Sequence, residues 1–156
     1  MMNNSQQLID REAVRETVTG VTHDIDQRRW HNLRARFADT VVVDYTSLFG
    51  GEVQTENGDD LIDGWRQLLT PLTATQHLLS PICVVIHERT AEAVCHVRGY
   101  HHAKDLVGGE NWMVAGHYEF ELQRESAVWT IHRITFRAFY QMGNSKLLQE
   151  AASRLR

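Results

Sequence analysis

The sequence predicts an α+β fold in which helices from the first part of the chain pack on one face of an antiparallel sheet. Two observations predict it: apolar residues recur at helical spacing before Pro71, and four long β-type runs joined by short separators follow it. Consecutive strands joined by so few residues must be antiparallel, because a parallel connection needs a dozen residues or more. With 156 residues, no internal repeat and no low-complexity linker, we expect one domain over residues 1–156.

Three helices are predicted before the sheet. The first carries an apolar stripe whose members recur at spacings of four, three and four: Val14, Val18, Val21 and Ile25. A short second helix places Trp30, Leu33 and Phe37 on one face. The third spans residues 57–69, with Asp59 as its N-cap. Its buried face is expected to hold Leu61, Ile62, Trp65, Leu68 and Leu69.

Runs of β-branched and aromatic residues predict the strands. One strand covers residues 41–51, between the second and third helices, and stops at Gly50-Gly51. The four long runs after Pro71 cover residues 77–88, 91–103, 111–124 and 127–140. A last helix is expected in residues 146–156.

Composition and charge argue against several classes of function. The formal net charge of −4 offers no basic surface for nucleic acid or an anionic membrane. No apolar run approaches the roughly 20 residues of a membrane span, and the first ten residues lack a secretory signal pattern. We therefore expect a cytoplasmic protein. Cys83 and Cys95 are expected to be buried free thiols without a metal or redox role.

The alternation of residues along the predicted strands assigns their faces. In residues 91–103 the odd positions are apolar or small and end at His101, so His101 is expected to point inward. His102 shares a more polar row with His96 and Arg98. The next strand has an apolar even row, Trp112, Val114, Gly116, Tyr118, Phe120 and Leu122, and places His117 on the surface. Glycine and alanine among these large residues leave room for a ligand.

An inward histidine among apolar residues needs a polar partner. Asp24 and Asp26 lie near the end of the first helix, and only one can face the sheet, since two residues span about 200° of a helix. Tyr45 shares a row with Val41 and Val43 and is expected to point inward. His77 begins the first long strand.

Four stretches carry a resemblance to a known family: DIDQRRWHNLRARFADTVVVDYTSL, TQHLL, RGYHH and GHYEFEL. Together they resemble the SnoaL-like branch of the nuclear transport factor 2-like superfamily, from about residue 8 to residue 141. Within it the pattern is most similar to scytalone dehydratase and the bile-acid dehydratases. The resemblance implies a cone-shaped, curved antiparallel sheet wrapped by N-terminal helices around an apolar cavity. It also implies a lyase or isomerase site without a cofactor, in a homodimer or homotrimer.

The resemblance also assigns residues to the site. Asp26 matches the family's helix aspartate, Tyr45 the tyrosine that hydrogen-bonds a substrate carbonyl, and His77 the second-site histidine. His101 matches the catalytic histidine that pairs with the aspartate.

The sequence also differs from scytalone dehydratase at several positions of the site. A second tyrosine of that enzyme is Ile25 here. Its serine and asparagine on the GHYEFEL strand become either Gly116 and Tyr118 or Phe120 and Leu122. We therefore do not expect scytalone itself as the substrate.

The predicted chemistry is acid–base catalysis on a small hydrophobic carbonyl or hydroxy compound. His101, oriented by Asp26, removes a proton α to a carbonyl and returns it to a departing hydroxyl or to another carbon. Tyr45 donates a hydrogen bond to the enolate, and His77 positions the leaving group or a water. The substrate is expected to contact Tyr118, Trp112, Ile25, Phe120 and Val97. No metal is expected, because no inward His-x-His pair joins a third ligand.

Other interpretations stay open at the level of sequence. His101 can be a core residue, Asp26 a solvated helix-end carboxylate, and Tyr45 a donor to a backbone carbonyl. The chain can also be a non-catalytic ligand-binding or assembly module that uses the row His96, Arg98, Tyr100 and His102 as an interface. A cyclase or an epoxide hydrolase is a third possibility. A contact between His101 and Asp26 at an open cavity favours an enzyme, and a filled barrel favours a scaffold.

Overall fold

The computed structural model describes residues 4–154. This part of the chain contains five helices and seven strands joined by loops. The helices are α1 (Asn4–Asp26), α2 (Trp30–Arg34), α3 (Thr46–Phe49), α4 (Gly58–Leu69) and α5 (Leu147–Ser153). The strands are β1 (Phe37–Asp44), β2 (Gln54–Asn57), β3 (Ala74–Leu79), β4 (Cys83–His87), β5 (Thr90–His102), β6 (Asn111–Glu125) and β7 (Val128–Gly143). The expected final helix is confirmed as α5, and its last two predicted residues, 155–156, lie outside the described residues. In the described part of the chain, no helix combines the length and apolar character needed to cross a membrane.

All seven strands join one curved, unclosed sheet in the order β2-β1-β7-β6-β5-β3, with β4 also paired to β5. The α+β fold class is confirmed. One pair differs from expectation, because β1 runs parallel to β7. The two strands are distant in sequence, so no tight turn constrains their relative direction.

The predicted first long run, residues 77–88, is two strands. β3 and β4 lie along the same edge of β5, with β3 beside residues 97–102 and β4 beside residues 90–94. Pro81 separates them, because proline has no amide hydrogen to donate to the ladder. β3 also begins three residues earlier than predicted, at Ala74.

Three boundaries in the first half also differ from prediction. Phe37 begins β1 rather than ending the second helix. The strand predicted over 41–51 ends at Asp44, whose Oδ1 accepts hydrogen bonds from the Thr46 amide at 3.1 Å and hydroxyl at 2.7 Å. This local bonding competes with the ladder and starts the short helix α3. Asn57 rather than Asp59 caps α4, since the Asn57 side chain accepts from the Asp59 amide at 2.8 Å.

The predicted alternation along β5 is confirmed. Every odd residue from Ala91 to His101 is buried and every even residue from Glu92 to Tyr100 is exposed. Cys83 was expected to be buried, but it is exposed on β4, where Val84 takes the inward position. Leu68 likewise lies at the exposed side of α4. The buried row of β5 therefore faces the helices and supplies one wall of the site.

Candidate active site

A cavity of about 540 Å³ lies between the buried face of the sheet and the helices. This volume falls in the range of small-molecule sites. Four of the five residues predicted to contact a substrate line it: Ile25, Val97, Trp112 and Tyr118. Phe120 instead packs against Tyr118, with ring centroids 5.3 Å apart, and is 2% exposed. The prediction for Phe120 is corrected accordingly, because it supports a wall residue from behind.

The Asp26 carboxylate, at the last residue of α1, is held by β3. Its Oδ1 lies 2.7 Å from Nδ1 of His77, and its Oδ2 accepts from the His77 amide at 2.7 Å. The Thr75 hydroxyl donates to Oδ1 at 2.9 Å. The His77 and Asp26 side chains are only 8% and 13% exposed. A His–Asp pair is therefore present at the cavity, and its imidazole belongs to His77.

The predicted hydrogen bond between Asp26 and His101 is wrong, because Asp26 bonds His77 and Thr75 instead. In the register of the sheet, His77 lies opposite Gly99 and Thr75 lies opposite His101. β3 is thus the strand next to β5, and the Asp26 carboxylate at the end of α1 bonds β3 rather than His101 on β5. Thr75 and His77 share one face of β3, as alternation requires, so both reach the same carboxylate.

Asp26 is ionised in this setting. Burial is the largest influence and by itself raises the pKa of Asp26, but the hydrogen bonds and charge of His77 and the Thr75 hydroxyl together lower that pKa below 3.8. A carboxylate beside Nδ1 selects the tautomer that carries its proton on Nδ1. The Nε2 atom of His77, a residue that lines the cavity, is then the proton acceptor.

His101 also lines the cavity, but in an apolar setting. It is 7% exposed, and its Nδ1 is enclosed without a hydrogen-bond partner. Its ring lies 4.7 Å from the Trp112 ring and 5.7 Å from the His77 ring, centroid to centroid. Burial, and then the charge of His77, lower the pKa of His101 from 6.5 to about 4. His101 is thus a neutral imidazole at neutral pH.

Gly99 makes room for both imidazoles. A Cβ atom built on Gly99 would lie 3.2 Å from Cε1 of His101, 3.2 Å from Cδ2 of His77 and 3.3 Å from Nε2 of His77. These distances are shorter than ordinary carbon contacts. The missing side chain therefore allows two rings from neighbouring strands to face the same part of the cavity.

Two phenols form a second polar group in the cavity. Tyr45 follows the end of β1 and Tyr118 projects from β6, with ring centroids 6.5 Å apart. The inward position predicted for Tyr45 is confirmed, and its ring also stacks on Phe136 at 5.6 Å. Burial raises the pKa of Tyr118 to about 12, and burial together with Tyr118 raises the pKa of Tyr45 well above 10. Both hydroxyls keep their protons and can act as hydrogen-bond donors.

Charge around the cavity is one-sided. Among the described lining residues, Glu52 and Glu56 are the charged side chains, and neither lysine nor arginine lines the space. Within residues 4–154, no three histidine, cysteine or acidic side chains converge as metal ligands would. The arrangement can therefore move a proton through His77 and donate hydrogen bonds from neutral groups.

The sequence matches the SnoaL-like domain over residues 6–135, most of the chain. The chain belongs to the SnoaL-like domain family. The predicted family and its nuclear transport factor 2-like superfamily are thereby confirmed. No curated protein matches the sequence.

Three solved structures show that this SnoaL-like fold is shared closely. The Kfla4162 protein of Kribbella flavida has a TM-score of 0.85 and 25% identity, over 92% of this chain and 99% of its own. A scytalone dehydratase-like protein of Novosphingobium aromaticivorans has a TM-score of 0.78 and 18% identity, over 90% and 91%. The type 3 hexachlorocyclohexane dehydrochlorinase LinA of Novosphingobium barchaimii has a TM-score of 0.72 and 17% identity, over 90% and 94%. At identities of 18% and 17% the likeness shows the fold alone.

The site of this SnoaL-like protein contains residues whose positions the sequence analysis did not predict. Trp65 was assigned to the core but lines the cavity, and Thr75 was not singled out although it bonds Asp26. Tyr118 was expected only as a contact residue, yet it pairs with Tyr45. The T-x-H spacing of Thr75 and His77 was the available signal, because residues two apart share a strand face.

Proposed function

We propose that this protein is a cofactor-independent lyase or isomerase that acts on a small, uncharged hydroxy or carbonyl compound. The observation that carries the proposal is the His77–Asp26 pair at the wall of a largely apolar cavity that also contains two protonated phenols. Two structural neighbours are named as a scytalone dehydratase and a dehydrochlorinase, and both names describe elimination reactions.

The first step is removal of a proton from the carbon α to a carbonyl. Nε2 of His77 accepts the proton, the C–H electron pair becomes the enolate, and Asp26 stabilises the imidazolium through its bond to Nδ1. The base assignment thus moves from His101, where sequence reasoning placed it, to His77. His101 is not proposed as the base, because burial lowers its pKa to about 4, its Nδ1 has no hydrogen-bond partner, and the Asp26 carboxylate bonds His77 instead.

In the proposed reaction, the phenols of Tyr45 and Tyr118 supply the hydrogen bonds to the enolate oxygen. Their high pKa values keep both protons on the phenols while negative charge develops on the substrate. A donor in a water-poor cavity stabilises such charge more strongly than the same donor in water.

The second step returns the proton. In a dehydration, protonated His77 gives its proton to the β-hydroxyl as the C–O bond breaks, so that a carbon–carbon double bond forms and water leaves. In an isomerisation, the same proton returns to another carbon of the enolate. In the proposed reaction, neutral His101 hydrogen-bonds the leaving hydroxyl. Because no cation lines the described cavity, a leaving group that departs as neutral water suits it better than a halide ion.

The test is turnover of a panel of β-hydroxy ketones and unsaturated ketones, followed by the absorbance of the conjugated product. We expect His77→Ala and Asp26→Asn to lose at least about 100-fold in kcat/KM. His87→Ala is the matched control, because His87 lies on the exposed end of β4. Equal activity of His77→Ala and the wild-type protein would rule out the proposed base.

A second candidate, an assembly module, is favoured by the outer face of the sheet. Phe139, Tyr140 and Met142 are exposed there, and the Arg98 guanidinium donates to the Tyr140 hydroxyl at 3.3 Å. We propose a homodimer or homotrimer that uses this face together with His96, Tyr100 and His102, and that leaves the cavity open. Sedimentation of the wild-type protein and of Phe139→Ser tests it.

Two further expectations accompany the proposed function. Residues 1–156 act as one domain, and the protein works in the cytoplasm. Limited proteolysis and cell fractionation test them.

A further inference from the structure

A second layer of side chains lies behind the His77–Asp26 pair. Nη1 of Arg28 donates to Oγ1 of Thr75 at 3.0 Å and to the Ile25 carbonyl at 3.0 Å. Nη2 of the same guanidinium donates to the Leu69 carbonyl at 3.0 Å. Arg28 therefore joins the end of α1, the end of α4 and the start of β3, and it does not line the cavity.

The direction of each hydrogen bond in this layer follows from the chemistry of the groups. A guanidinium can only donate, so Thr75 must accept from Arg28 with its oxygen lone pairs. The single hydroxyl hydrogen of Thr75 is then available for Oδ1 of Asp26, 2.9 Å away. Asp26 in turn can only accept from the Nδ1 side of His77. Arg28 thus orients the Thr75 hydroxyl, that hydroxyl orients the Asp26 carboxylate, and the carboxylate accepts from Nδ1 of the imidazole.

The backbone at Arg28 has a conformation that few residues with a side chain adopt. Arg28 has φ of 58°, a left-handed conformation just beyond α1 that glycine adopts more readily than any other residue. This turn carries the side chain back over the end of the helix, where it reaches three acceptors. Its Cζ also lies 5.9 Å from the centre of the Trp30 ring.

We propose that Arg28 and Thr75 are positioning residues that fix the Asp26 carboxylate and thereby hold His77 in the tautomer with Nδ1 protonated and Nε2 free. Neither residue lines the cavity. The catalytic consequence rests on the proposed function, whereas the effect on the His77 ring does not. Two residues outside the cavity thus decide which nitrogen of an imidazole inside it can accept a proton.

The test reads the His77 ring directly by ¹⁵N NMR at mildly alkaline pH. Thr75→Val keeps the shape of the side chain and removes the hydroxyl, and Thr75→Ser keeps the hydroxyl. Arg28→Gly removes the guanidinium and suits the left-handed backbone, and Arg29→Ala is the control on the exposed neighbour. We expect the ratio of the Nδ1–H to the Nε2–H tautomer to fall about tenfold in Thr75→Val and Arg28→Gly, and to be retained in Thr75→Ser and Arg29→Ala.

An unchanged ratio in Thr75→Val overturns the proposal, and so does an equal fall in Arg29→Ala. If Arg28→Gly does not fold, the Thr75→Val and Thr75→Ser pair decides the outcome alone. Once a substrate is known, we expect Thr75→Val to lower kcat about tenfold with little change in KM. If the wild-type protein turns over no substrate but the His77 tautomer ratios are as expected, the proposed function is rejected and the positioning role of Arg28 and Thr75 is retained.

Discussion

Two carboxylates at the end of α1 show how similar residues take different tasks. Asp24 lies 2.7 Å from Nε of Arg36, and its side chain is 3% exposed. Asp26, two residues later and on a different side of the helix, lies 2.7 Å from Nδ1 of His77 at the cavity. The Asp24–Arg36 pair joins α1 to the chain just before β1, and neither residue lines the cavity. The partner of Asp26 is an imidazole, the side chain most often used in general acid–base catalysis, and the proposed function rests on this pair.

Replacing each aspartate by asparagine tests this comparison, and the largest effect is expected at Asp26. Asp26→Asn removes the charge that stabilises the His77 imidazolium and permits the wrong tautomer. We expect kcat/KM to fall about 1,000-fold, equivalent to about 4 kcal/mol in transition-state stabilisation. Steady-state kinetics on a substrate found in the ketone panel measures it. A loss below tenfold would contradict the assignment.

Acid is expected to act on the cavity side of this comparison, through the buried imidazole of His101. The pKa of His101 is about 4 in the folded protein and 6.5 without burial, so between these values the unfolded chain binds one more proton. Stability contributed by neutral His101 is therefore complete above pH 6.5 and is lost as the pH falls towards 4, by about 3 kcal/mol. Urea unfolding across this range measures the loss.

His101→Phe is the variant that checks the source of this acid sensitivity. We expect its free energy of unfolding to vary less with pH between 6.5 and 4 than that of the wild-type protein. His87→Phe, an exposed control, should keep the wild-type slope. A slope unchanged in His101→Phe would show that another group is responsible.

Asp24→Asn is expected to affect stability rather than catalysis. It leaves the Arg36 guanidinium, partly buried beside α1, without its carboxylate, and we expect a loss of about 2 kcal/mol in the free energy of unfolding. Chemical denaturation measures this loss, and kcat/KM per folded molecule should stay within about twofold of the wild-type value. A large loss of activity in a folded Asp24→Asn protein would remove the distinction between the two carboxylates.

Gly99→Ala is expected to have the smallest effect. It changes the cavity beside His77 and His101 and leaves the Asp24–Arg36 pair unchanged. The new methyl group would contact both imidazoles at 3.2 Å, and they must shift by a few tenths of an ångström. We expect about 1 kcal/mol of destabilisation and a fall of about fivefold in kcat/KM. Gly64→Ala, on α4 with open space around its Cβ position, is the control.

The sequence predicted the direction in which many side chains point better than it predicted their partners. Strand alternation placed His101 and Tyr118 on the buried face, because a period of two is a property of the strand itself. The partner of Asp26 depends on how β3 aligns along β5, and that register follows from tertiary packing. For the same reason the parallel pairing of β1 with β7 could not be read from local spacing.

The apolar stripe of α1 and the end of β1 also differ in how well the sequence predicted them. The apolar stripe of α1 was correct, because Val14 and Val18 are fully buried. The extent of β1 was not, because one side chain, Asp44, bonds the backbone ahead of it and ends the strand. Competition between a local turn and a ladder is decided by single hydrogen bonds, which a hydrophobic pattern does not reveal.

The last helix of the described chain has a consequence for biosynthesis. Leu148 of α5 lines the same cavity as Ile25 of α1, while its neighbour Leu147 is fully buried and anchors the helix. A nascent polypeptide that has emerged only as far as β7 therefore contains Asp26 and His77 but lacks Leu148, the lining residue that α5 contributes. Ligand capture should begin only after translation has delivered α5 and the helix has docked.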